Sequence, residues 1–90
     1  MSSRAERREK AQKRREEVKN MIIMIIGDHL PSQTAKATKE ELDAGLKAGF
    51  EEATTWVAEE IKKNPQESSL VNEGVSMAMK FLDNTLHQRV

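Results

Sequence analysis

The stretch Met21-Ile22-Ile23-Met24-Ile25-Ile26 constrains this chain more than any other. Six consecutive apolar residues turn through about 100° each in a helix, so no polar face remains and the segment must be covered on every side. A β-strand is the competing reading, because isoleucine is β-branched and six residues is a common strand length. A lone strand needs a partner, and the 90 residues contain no second strand-like run. A helix is therefore expected, closed by Gly27, Asp28 and Pro31.

Upstream, residues 2–20 hold little that is apolar beyond Ala5, Ala11 and Val18, but they are good helix formers. Glu6 with Lys10 and Glu9 with Lys13 stand in the favoured i, i+4 order. The zero net charge of the chain hides a division: residues 1–20 carry eight Lys/Arg against four Glu (+4), and residues 21–90 carry seven against eleven acidic residues (−4). This predicts a basic, charge-rich N-terminal arm over 1–20 and a single helical domain over 21–90, with residues 1 to about 15 dispensable for folding. Such an arm can meet nucleic acid, or the acidic body of another copy.

Thr38-Lys39-Glu40-Glu41 has the form of a capping box. Beyond it Leu42, Leu46, Gly49, Phe50, Ala53, Trp56, Val57 and Ile61 share one helical stripe, which Asn64-Pro65 ends. A third helix opens near Ser68, with Val71, Gly74, Val75, Ala78, Met79, Leu82 and Leu86 on its main stripe and Leu70, Met77 and Phe81 widening it. The expected fold is all-α, with helices near 5–27, 39–63 and 68–87. The second and third form an antiparallel hairpin, and the long first helix packs across it. Each glycine inside a helix costs about 1 kcal/mol relative to alanine. The rows Gly45, Gly49, Ala53 and Gly74, Ala78 therefore read as a groove where helices two and three cross closely. Trp56 reads as a part-buried core residue, and the methionines at 21, 24, 77 and 79 as core filling.

A chain this short has a marginal core, and without cysteine neither disulfides nor thiolate zinc sites can support it. No metal or other cofactor is expected. Association with a second copy is the route left, through an interface of Ile22, Ile23, Ile25, Ile26 and Phe81. The apolar run is too short to cross a bilayer, so no membrane role is expected and a cytoplasmic, or in a eukaryote nuclear, location is. Catalysis is not expected either. Asp28-His29 beside Ser32 and Thr34 is a faint acid–base echo without a pocket, and the paired glutamates lie along helix surfaces.

Lys13-Arg14-Arg15-Glu16-Glu17-Val18, an apolar helix, Leu30-Pro31, a loop with Lys36 and an amphipathic helix together resemble the basic helix-loop-helix family. That resemblance implies an arm in the DNA major groove and a dimeric four-helix bundle over 18–63. The family's base-reading glutamate has no counterpart here, since Lys10 and Ala11 stand one turn before Arg14-Arg15. Ala48-Gly49-Phe50-Glu51-Glu52 is similar to a stretch of Orange dimerisation domains. The leading expectation is a non-catalytic helical interaction protein, a regulator or inhibitor that binds another protein and itself. The alternative is nucleic-acid binding through Arg4, Arg7, Arg8, Arg14 and Arg15.

Overall fold

A computed structural model describes residues 4–32 and 36–87, with side chains as far as residue 85. Thr34 and the side chain of Leu86 thus lie outside the described residues. The described residues form three α-helices: α1 (Arg4–His29), α2 (Lys39–Lys63) and α3 (Ser68–His87), the last two joined by a 3-10 turn at Pro65–Glu67. No strand occurs among the described residues. The Thr38 hydroxyl caps α2 by accepting from the Glu41 N–H at 3.1 Å, satisfying one of the donors a helix start leaves open. α1 runs two residues past its expected end. Gly27 keeps a negative φ and meets nothing a Cβ would touch, so the helix continues until Leu30-Pro31.

The spine of the molecule is α1. α2 runs back along it, placing Gly45 at His29 and Gly49 at Ile26, and α3 then follows α1 in its own direction, with Gly74 at Val18. α2 and α3 touch each other far less than either touches α1. This departs from the expected hairpin of helices two and three with helix one lying across it, and the reason is steric. A small-residue row allows close approach only to a neighbour that fills the space, and two such rows facing each other would leave little side chain between them to bury. Here Gly45, Gly49 and Ala53 of α2, and Gly74 and Ala78 of α3, are buried in rows whose glycines face the bulky residues of α1. A Cβ on Gly49 would lie 2.9 Å from the Ile26 Cα, and one on Gly74 2.7 Å from the Val18 Cβ.

The core consists of Val18, Ile22, Ile25, Ile26, Ala53, Val71, Ala78 and Leu82. Four of these eight come from α1, at positions separated by three or four residues. Continued backward at the same spacing, that stripe reads Arg15, Ala11, Arg8 and Arg4. The face of α1 that is apolar within the bundle is therefore basic beyond it. Residues 4–10 are all exposed and project past the α2–α3 turn in a molecule with extents of 53 × 26 × 16 Å.

Where the stripe leaves the bundle, arginines hold the three elements together. Arg14, with only 12% of its side chain exposed, donates from Nη2 to Glu60 of α2 at 2.9 Å. It also pairs through Nη1 with Glu17 at 3.2 Å and through Nε with Glu67 of the turn at 3.3 Å. The Glu60 hydrogen bond raises the Arg14 pKa against the opposing effect of burial, so the guanidinium stays charged. Arg15 donates to Glu73 of α3. α1 is continuous through residue 20 and Val18 is 0% exposed, so the part of the arm that stands clear of the body ends near residue 13.

This moves the limit of dispensable chain. Deleting residues 1–11 is expected to leave Tm within a few degrees of the parent, because residues 4–10 are all exposed and Ala11 is only part-buried. Deleting 1–15 removes Arg14 and Arg15, taking from Glu67 and Glu73 their arginine partners and leaving Glu60 with only Lys63, 4.0 Å away. Arg14→Met, which retains much of the side-chain bulk, isolates that effect. It is expected to cost about 2 kcal/mol, between exposed and fully buried pairs, and to lower Tm by roughly 10 °C in thermal melts. A Tm unchanged by Arg14→Met would mean that the ion pairs hold nothing together.

Candidate functional site

Because α2 and α3 flank α1 without closing on each other, a groove of about 330 Å³ lies between them. Its floor is Ile22, and Phe50 and Val57 of α2 face Val75 and Met79 of α3 across it. Thr54 and Asn72 are its polar lining residues, and no charged side chain lines it. Phe50 and Val57 occupy the flank of the α2 stripe, one step round the helix from the row Gly45, Gly49 and Ala53 that meets α1. Phe50, Val57 and Val75 remain half-buried and Met79 is 43% exposed.

A second surface runs along the seam of α1 and α2 on the other side of the glycine row. Met21, Met24 and Trp56 form its apolar floor, and Met24 is 52% exposed. Carboxylates border it at Glu17, Asp28, Glu52, Glu59 and Glu60. Arg14 already engages Glu17 and Glu60, and His29 Nε2 lies 2.7 Å from Glu52. Trp56 thus packs against the core from its edge while presenting one side to this cleft.

The isoleucines expected to join two copies are mostly covered within one. Ile22, Ile25 and Ile26 are buried under the α2 and α3 rows, and Ile23 is half-buried. The two flanking helices cover most of the isoleucines because the glycines bring both backbones close to α1, while Met24 of the same run stays 52% exposed. Phe81 is exposed, with Lys19 Nζ 5.6 Å from its ring centroid. Of the arginines expected to meet nucleic acid, Arg4, Arg7 and Arg8 are exposed, whereas Arg14 and Arg15 are bound to the body. His29 and Ser32 are exposed surface residues. Among the described residues no group of three or more His, Asp or Glu is placed to hold a metal ion. Among the described residues no helix is long and apolar enough to cross a membrane.

The groove lining was missed from the sequence, although a signal for it existed. The periodicity places Phe50 and Val57 on the main stripe of α2 and Val75 and Met79 on that of α3, and it predicts that these two stripes bury each other. Comparison of the chain with family models, with curated proteins and with solved structures finds no match.

Proposed function

We propose that this is a non-catalytic helical interaction protein that associates with a second copy of itself through the groove between α2 and α3. The observation that carries this reading is the groove's composition, apolar on both walls and free of charge. An uncharged groove favours an equally uncharged face, and the groove's own walls, Phe50 and Val57 with Val75 and Met79, are such a face. Isologous pairing of one surface with itself is the usual way a small protein closes a dimer. A regulator that acts by occupying the surface of another protein fits a chain with so little core of its own.

Nucleic-acid binding through the arm is the second reading, favoured by the exposure of Arg4, Arg7 and Arg8. The engagement of Arg14 and Arg15 by Glu60 and Glu73 weighs against it.

The absence of cysteine gives a direct test. Thr54→Cys places a single thiol at the groove, and Glu40→Cys places one on the exposed start of α2. A short bismaleimide is expected to join two copies of the Thr54→Cys protein in high yield and to leave Glu40→Cys largely as single chains. Equal yields at the two positions would remove the groove from the interface.

A further inference from the structure

We infer that the N-terminal arm of one copy lies across the acid-bordered Trp56 cleft of another. The arm is a single rigid helix with the α1 residues of that cleft, Glu17, Met21 and Met24, so it cannot fold back onto its own. Any such contact is made between molecules. Three features match arm to cleft. The arm from residue 4 to 13 is about 14 Å long at 1.5 Å per residue, and the α1 side of the cleft from Glu17 to Asp28 spans about 17 Å. At about 100° per residue Arg4, Arg7, Arg8 and Ala11 share one face of the arm, while Glu6 and Glu9 fall on the other. The cleft carries five carboxylates, Glu17, Asp28, Glu52, Glu59 and Glu60; Arg14 pairs with Glu17 and Glu60, Lys63 lies 4.0 Å from Glu60 and His29 2.7 Å from Glu52.

The chemistry of arginine suits this floor. Its guanidinium stacks on an indole face and is weakly hydrated, and its methylene stem covers apolar surface. Arginine heads beside Asp28 and Glu59 would leave their stems over Trp56 and Met24. Ala11 on the same face lets the arm backbone approach the methionines. This contact is independent of the α2–α3 groove, uses a different face of α2, and differs from it in its response to salt.

Trp56 is the sole tryptophan and therefore reports directly on its cleft. The full-length protein at micromolar concentration is expected to show blue-shifted Trp56 emission in about 0.01 M salt. That shift is expected to be lost near 1 M, as the screening length falls from about 30 Å to about 3 Å. Sedimentation at high salt reads the groove contact separately, since an uncharged interface persists there. The triple variant Arg4→Glu, Arg7→Glu, Arg8→Glu and the double variant Asp28→Lys, Glu59→Lys should each lose the salt-sensitive shift while keeping parental helix content by circular dichroism. Mixing the two should restore it, because reversed arm then meets reversed border. Emission that ignores salt in the parent, or a mixture that fails to regain the shift, overturns the inference. So does a shift that survives in the double variant while the arm binds a DNA duplex, an outcome that would assign the arginines to nucleic acid instead.

Discussion

Gly74→Leu is expected to lower Tm by about 10 °C or more. A Cβ at this position would stand 2.8 Å from the Arg15 carbonyl oxygen as well as 2.7 Å from Val18, so backbone as well as side chain has to move. Leucine gains at most about 1 kcal/mol in helix propensity over glycine. Overpacking at a backbone contact costs about 3 kcal/mol or more, and each kcal/mol is worth roughly 4–8 °C in a domain of this size. Gly27→Ala is the matched control. Nothing lies within 4 Å of its added methyl, so the same class of change there should raise stability by up to about 1 kcal/mol. Thermal melts in which Gly74→Leu is as stable as the parent would show that α3 does not sit on α1 as described.

The second large effect is on association. Val75→Asp puts a carboxylate on the wall of the groove, where a single chain leaves it in contact with water. In a symmetric dimer it is buried twice, unpaired, against Phe50 and Met79. Dimer affinity is expected to fall at least about a hundredfold, which corresponds to about 2.8 kcal/mol, with helix content preserved. Phe81→Asp, on the opposite edge of α3 beside Lys19, should leave the mass in solution unchanged. The reverse pattern would return the interface to Ile23 and Phe81.

Much of the local structure was legible in the residues, because the signals that set helix boundaries are short-range. Thr38, Asn64-Pro65 and Ser68 mark the limits of α2 and the start of α3 where the sequence places them. Gly27 misled because glycine ends a helix only when the chain needs a positive φ there, and here it does not. What periodicity could not supply is which stripe meets which. The glycine rows of α2 and α3 announce a close contact, but the sequence does not say that the neighbour is α1. Once α1 sits between them, the isoleucine run is covered within the chain and the flanks at Phe50 and Val75 are left open instead. The arm boundary shifted for a related reason. Arg14 and Arg15 look like part of a uniform basic run, and only tertiary structure brings Glu60, Glu67 and Glu73 up to them.

Self-association through the groove is tested most directly by sedimentation equilibrium of the full chain at micromolar concentration and high salt, where contacts between charged surfaces are screened. A species at twice the chain mass of 10.2 kDa, reduced to the chain mass by Val75→Asp but not by Phe81→Asp, is the predicted result. A parent protein that sediments under these conditions as a single species at 10.2 kDa would contradict it.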